Sequence, residues 1–556
     1  MSMTQHEVRR GAYYDSIVLM QLQKALAELE GVLDAGVVMA TPANRDVLDA
    51  AGFAVEAIDA RPDDLLIMVK AESEGAASAA LAQVDELLKR RQGSGDMTYR
   101  PASLDAAARQ LPHARWTLIS VPGRYAAAVA RQALALNTHV FLYSDNVSLE
   151  DEIDLKRRAR DAGLLVMGPD CGTAIINGVG LGFANRVRRG GIGIVAASGT
   201  GLQAVSSGVH NLGGGVSQAF GTGGRDLKAD VGGLSALQAL DLLRRDPATE
   251  VIVLVSKPPA PSVATRLLRA ARECEKLVIV NLLGYAPPAR RTDTLHFALN
   301  LHDAAELAVT LQAETRPEKP APGREVSGYV RGLFSGGTLA YEALLGLQPF
   351  LAPLYSNAPV TPEQKLVDSF ASQAHTILDL GEDQFTQGRL HPMMDNDLRL
   401  RRLRTEAGDA AVGTLLLDVV LGEGAHPDPA GELAPALAEA KAARPELDVV
   451  VVVVGTDADP QVLDEQAAQF THAGAHVYPT VTDAVRHIVR RLPRESAALA
   501  HPLSLDDFGS DLAAINVGLE SFHASLIEQG AQSIQVDWRP PAGGNERLAG
   551  ILARLG

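Results

Sequence analysis

Two short turns in this sequence carry the residue types that hold an anion. The stretch GIGIVAASGTGLQAV, starting at Gly191, is an apolar run that stops at Ser198-Gly199-Thr200 and restarts as a helix pattern. VRGLFSGGTLAYEALLGL repeats the scheme with Gly336-Gly337-Thr338. A strand that turns through small residues into a helix leaves the first N–H groups of that helix without intrahelical partners. Those donors, with the roughly half positive charge of the helix dipole, suit a phosphate or carboxylate. Small residues let the anion approach the backbone. A Ser or Thr there can also simply cap its own helix. The duplication favours anion binding, because each turn is followed by a second charged, Gly-containing loop.

Those loops are GTGGRDL, with Gly224, Arg225 and Asp226, and LGEDQF, with Gly381, Glu382 and Asp383. Arg225 suits two-pronged binding of a carboxylate or phosphate. Lys257 closes a buried strand before Pro258-Pro259 and so should reach the crevice rim. EGAHPDP offers His426 and Asp428, an acid/base pair or a stabilised turn. RLHPMMDND places His391 and Asp395 in a loop. The expected catalytic residues are therefore Arg225, Lys257 and His426. The expected phosphate- or substrate-binding residues are Ser198, Gly199, Thr200, Gly224, Asp226, Gly336, Gly337, Thr338, Gly381 and Glu382. Asn146 and Ser148 read as a helix start, and Cys171 as a small buried residue with no basic neighbour.

The elements that must position these residues repeat. From Gly191 to about Leu311, and again from Gly328 to about Leu492, short apolar runs alternate with helix patterns, the signature of a parallel sheet wound on both faces. The two turns, the two charged loops, and VIVLVSKPPAP with LLLDVVLGEGAHPDP recur in the same order. We read two doubly wound, pseudo-symmetric α/β domains with both turns at one crevice, beyond the carboxyl ends of the strands. Residues 7–91 order strands and helices as a ferredoxin-like or ACT-type unit. The domains expected are 1–98 (ferredoxin-like α+β), 112–187 (a short βαβαβ unit), 188–313, 326–495, and a C-terminal docking tail 502–556 containing Asp537, Trp538 and Arg539. AETRPEKPAPGREV is a Pro-rich linker.

The 556 residues carry a net charge of −16 and no basic stripe, which argues against nucleic acid or an anionic membrane as partner. Two cysteines form neither a disulfide framework nor a zinc site, and no metal is expected. No apolar run reaches membrane-span length and the N-terminus lacks a signal peptide's apolar core, so a cytoplasmic protein is expected.

GPDCGTAIINGVGLGFANRVRRGGIGIVAASGTGLQAV and GTGGRDLKADVGGLSALQALDLLRRDPATEVIVLVSKPPAP resemble the succinyl-CoA synthetase α subunit. With SGGTLAYEALL, GEGAHPDPAG and INVGLESF…VDWRPPAGG, nearly the whole chain resembles the FdrA family. The resemblance implies tandem flavodoxin-like domains, with 112–187 as a truncated CoA-binding domain. It also implies either an acyl-CoA synthetase-like protein or a subunit of an oxamate carbamoyltransferase in allantoin catabolism. In the synthetase a phosphohistidine sits in a Gly-His-Ala-Gly context after an Ala-Pro turn. Here Ala286-Pro287 is followed by PARRTDTLHFAL, and His296 stands two residues out of place. A Gly-rich CoA turn before Arg115 and an ATP-grasp domain are also missing. The expectation is therefore a carbamoyltransferase subunit binding carbamoyl phosphate and oxamate, working with other subunits, compatible with a homo-oligomer and needing no cofactor. The alternatives are an acyl-CoA synthetase or CoA-dependent transferase subunit, where CoA or nucleotide would enter, and a regulatory subunit sensing a phosphorylated metabolite.

Overall fold

The run GGIGIVAA forms the centre of a sheet, as its unbroken apolar character requires. It is the strand Arg189–Ala197, buried from Gly191 onward. The computed structural model describes residues 3–10, 16–61, 64–92, 100–274, 276–285, 289–314, 325–493 and 499–540. The chain divides into two units, 1–155 with 511–556, and 156–510. The linker 315–324 and the turn Ala286-Pro287 lie outside the described residues.

In the larger unit, Arg189–Ala197 has parallel neighbours on both sides, Val216–Gly221 and Val251–Ser256. Leu277–Leu282 and Leu295–Phe297 extend the sheet beyond Val251–Ser256 in parallel. The second sheet centres on Tyr329–Phe334, flanked by His375–Asp379 and Val412–Val420. Asp448–Val454 and His476–Tyr478 continue it. Five parallel strands follow the same order in both sheets; the second adds the edge strand Leu354–Ser356, and the first adds Thr173–Ile176, Val179–Gly182 and Arg291–Thr292. The repeat legible in the sequence is thus a repeat of topology. Val, Ile and Leu fill these strands because both faces are covered by helices.

The crossovers set the site. The helix Gly199–Asn211 leaves the first central strand and packs with Leu301–Ala313. Leu234–Arg245 packs instead with Pro261–Arg272. Helices leaving the adjacent strands Arg189–Ala197 and Val251–Ser256 thus run to opposite sides, which opens a crevice at their carboxyl ends.

The smaller unit holds an N-terminal three-stranded antiparallel sheet, Leu65–Ala71 between Met3–Arg9 and Val32–Met39. It also holds a parallel array in which Trp116–Ile119 lies between His139–Leu142 and Ala513–Val517, with Gln532–Val536 beyond. Two boundary expectations are corrected here. The described part of the expected docking tail, residues 502–540, is built into a sheet, with Ala513–Val517 and Gln532–Val536 as strands. The Trp538 ring packs tilted against Tyr125, centroids 5.6 Å apart, and the Asp537 N–H donates to the Pro101 carbonyl at 2.9 Å. Residues 112–187 do not form one domain: the hairpin Thr173–Ile176/Val179–Gly182 pairs antiparallel with Val216–Gly221 and belongs to the larger sheet.

Candidate functional site: an anion cradle at the first turn

Ser198 is the N-cap of the helix Gly199–Asn211. Its Oγ accepts from the Gly201 N–H at 3.2 Å, and the first helical bond runs from Leu202 N to the Ser198 carbonyl. That leaves the N–H groups of Gly199 and Thr200, both exposed, at the open end of the helix. A Cβ placed on Gly199 would meet nothing within 4 Å. The serine hydroxyl is therefore a cap, as any serine there could be, but the turn remains open to a ligand.

Register places Lys257 beside this turn, since Ala197 pairs with Ser256 and the next residues are Ser198 and Lys257. Lys257 is exposed and its ammonium has no hydrogen-bond or ion-pair partner among the described residues. On the other flank, Ala196 pairs with Gly221, which leads into Thr222-Gly223-Gly224. A Cβ on Gly224 would lie 3.9 Å from Lys257 Nζ and 4.0 Å from Asp170 Oδ2. Gly223 has φ +88° and would bring a Cβ to 2.5 Å from the Pro169 carbonyl, so only glycine lets the two loops meet. Ser198, Gly199, Thr200, Gly224 and Lys257 are brought together with Asp170, which the sequence did not flag. Arg225 is half-buried and already engaged.

Asp226 is not a ligand-binding residue, against expectation. It is fully buried, with Lys156 Nζ 2.8 Å from Oδ1. It also accepts the N–H groups of Ser235 at 3.3 Å and Ala236 at 2.9 Å. The helix Leu234–Arg245 has only Gly233 as N-cap, and the Asp226 carboxylate supplies the missing acceptor.

The second turn is chemically different. Gly336 caps the helix Gly337–Leu347 without a side-chain bond. A Cβ on Gly337 would stand 2.7 Å from Asp379 Oδ2, and one on Gly381 would stand 3.1 Å from both Asp379 Oδ1 and His391 Nε2. Aligning the turns puts Asp379, paired with Phe334, where the first copy has Gly221. It puts Val420 where the first copy has Lys257. The second copy has lost the cation and gained a carboxylate. Burial raises the Asp379 carboxyl, opposed by the Gly381 N–H, which donates to Oδ1 at 2.9 Å. Thr338 and Glu382 are exposed. Behind the turn, Ser335 donates through N–H and Oγ to Asp418, each at 2.7 Å, and Arg399 pairs with Asp418 at 3.2 Å. This network is buried behind the second turn, between the paired strands Tyr329–Phe334 and Val412–Val420 and the helix that carries Arg399. Asp418 interrupts the apolar run GTLLLDVVLG, which was a readable signal.

His426 pairs with Glu432 at 3.2 Å, accepts the Asp428 N–H on Nδ1, and gives its own N–H to the Met393 carbonyl. Asp428 caps the helix Pro429–Ala443 by accepting Gly431 N–H at 3.0 Å. EGAHPDP is thus a helix-starting turn. Asp395 accepts the Asp397 N–H within its own loop. Cys171 is buried and its thiol is pushed up to about 12 by burial, as befits an inert side chain. His296 lies in the strand Leu295–Phe297, and burial, with Arg291 nearby, pushes it down to about 4. In the smaller unit, the turn at Pro122-Gly123 does not fit a CoA phosphate. A Cβ on Gly123 would come 2.0 Å from the Asp145 carbonyl, so an acceptor faces the helix start.

Residues 1–101 match the family model described as "AllF, heavy metal-associated domain", and residues 333–489 match the CoA-ligase model. The uncharacterized protein YahF of Escherichia coli (strain K12) is 42% identical over 485 residues, covering 84% of this chain and 94% of YahF. The chain belongs to the YahF family. As a YahF-family protein it joins an AllF-type N-terminal domain to a CoA-ligase domain. The succinate–CoA ligase [ADP-forming] subunit alpha 2 of Archaeoglobus fulgidus is 28% identical over 182 residues, 32% of this chain and 61% of that subunit. The dinucleotide forming acetyl-coenzyme A synthetase 1 of Ca. Korarchaeum cryptofilum aligns over 68% of this chain and 82% of its own, at 19% identity and a TM-score of 0.29. The carbamoyltransferase expectation is overturned: the matching domain is a CoA-ligase and the relatives named for an activity are succinate–CoA ligase subunits. Residues 1–101 of this YahF-family chain contain no cysteine, so the soft thiolates that select heavy metals are missing there. Among the described residues no helix is long and apolar enough to cross a membrane.

Proposed function

We propose that the chain is a subunit of an acyl-CoA synthetase-type enzyme, holding the phosphoryl end of an acyl phosphate at the first turn. The observation that carries this reading is the open pair of N–H groups, Gly199 and Thr200, with the unpartnered Lys257 ammonium beside them in the crevice of the first sheet. Donors fixed by a helix start cost no reorganisation when charge develops on departing phosphate. In the reaction a thiol sulfur attacks the acyl carbon, the carbon–oxygen bond to phosphate breaks, and phosphate leaves with the electron pair and takes up the thiol proton. The chain's part is to grip that phosphate and orient the acyl group. CoA is not assigned to the Pro122-Gly123 turn, and we assign nucleotide chemistry to a partner subunit. His296, buried within the strand Leu295–Phe297, is assigned no part in phosphoryl relay.

Inorganic phosphate, acetyl phosphate and CoA are each to be titrated against the full chain, with melting temperature as the readout. Phosphate and acetyl phosphate should raise it, because a ligand that binds only the folded state stabilises it. Release of phosphate from acetyl phosphate should then depend on CoA once co-purified partner subunits are present. A chain indifferent to phosphate, or phosphate protection unchanged in Lys257→Ala, removes the basis of the proposal.

A further inference from the structure

Away from the turns, at the amino-terminal edge of the second sheet, three side chains from three elements converge. Asp448 begins the strand Asp448–Val454, His476 begins His476–Tyr478, and His487 lies on the helix Val481–Arg491. Their ligand atoms all lie within 4.8 Å of one another. Asp448 Oδ1 is 3.6 Å from His476 Nε2 and 3.4 Å from His487 Nε2. Around a tetrahedral ion with bonds of about 2.1 Å, ligand atoms stand ~3.4 Å apart. We propose that Asp448, His476 and His487 form a binding site for one divalent transition-metal ion of the zinc class.

The surroundings fit. The second oxygen, Asp448 Oδ2, lies 3.1 Å from His487 Nε2 and 3.5 Å from Arg491 Nε, so both oxygens face the imidazoles and the guanidinium charge stands beside the carboxylate. The Tyr478 hydroxyl sits 2.8 Å from His487 Nδ1 and fixes that ring with Nε2 turned to the carboxylate. Asp448 is 2% exposed and His487 10%, whereas His476 is 46% exposed, so the fourth position opens to water. Two imidazoles and one carboxylate are a donor set for zinc rather than for calcium or magnesium. No sequence pattern flags the cluster, because the three residues follow no metal-binding spacing and are brought together by the parallel pairing of the two strands and the helix after them. The expectation of no metal is therefore replaced by this site. An ion network that merely fastens the helix to the strand is the competing explanation, and it predicts no dependence on metal.

The test uses the full chain, stripped with chelator and titrated with zinc chloride alone by calorimetry. Native chain should bind one equivalent with a higher melting temperature, and cobalt(II) in its place should give the intense visible bands of a tetrahedral site. His476→Ala alters an exposed side chain and should fold. It should weaken zinc binding at least tenfold and abolish those bands, as should Asp448→Asn. No zinc binding by the native chain, or native affinity in both variants, overturns the proposal.

Discussion

Arg225 and Asp226 are neighbours in sequence with different surroundings, one half-buried and one sealed with Lys156. Removing one partner of a buried ion pair strands the other charge at a cost of about 3–5 kcal/mol. Asp226→Ala should therefore lower unfolding stability by that order in urea titration. Lys257→Ala, at an exposed and unpartnered site, should stay within about 0.5 kcal/mol while losing phosphate protection. Stability loss in Lys257→Ala with protection intact would reverse these assignments. A second residue-scale prediction concerns pH. Burial holds His296 and His375 at about 4, against 6.5 for a free imidazole. Between pH 6.5 and 4 the unfolded chain binds these protons and the folded chain does not. Stability should fall as pH drops through that window, by about 1.4 kcal/mol per pH unit per fully titrating group. His296→Leu should flatten the slope of unfolding free energy against pH by up to one proton; an unchanged slope would show that His296 titrates normally. The sequence located His296 but could not show its burial, just as it could not separate Asp226 from Arg225. Partners such as Lys156 lie far away along the chain, and side-chain pairing across a fold leaves no local pattern.

At the scale of elements, the two turns were legible because their signal is local: an apolar run, small residues, a helix pattern. What stands over each helix start was not, since Asp379 comes from a strand more than 40 residues beyond Gly337. Substitution separates the two. A Cβ on Gly199 meets open space, so Gly199→Ala should leave the fold intact, and its methyl group should obstruct a bound anion and reduce phosphate protection. A Cβ on Gly337 meets Asp379 Oδ2 at 2.7 Å, so Gly337→Ala should destabilise by about 1–3 kcal/mol, the usual cost of overpacking. Circular dichroism and thermal unfolding of the pair provide the comparison. Equal effects on stability would mean that the second turn is as open as the first.

For the whole molecule, the alternation of strands and helices and its repeat were readable from periodicity, while membership of sheets was not. The segment after Asp511 looked like an appendage because its two strands are short and stand apart from the main repeats. It completes a sheet begun at Trp116. Cutting the chain after Ser510 should expose one edge of the buried strand Trp116–Ile119, leaving the smaller unit insoluble or open to proteolysis within residues 104–142. A soluble truncated chain that resists proteolysis there would restore the appendage view. The same pairing has a consequence for biosynthesis. The strand at Trp116 emerges from the ribosome about 400 residues before its partner at Ala514. At roughly 5–20 residues per second, that interval is about 20–80 s. Throughout it an apolar strand edge stays unpaired while the intervening domains are made and fold. This half-built sheet is a natural client for a chaperone that binds nascent chains, and slowing translation downstream of Asp161 should lengthen its exposure and lower the yield of folded protein.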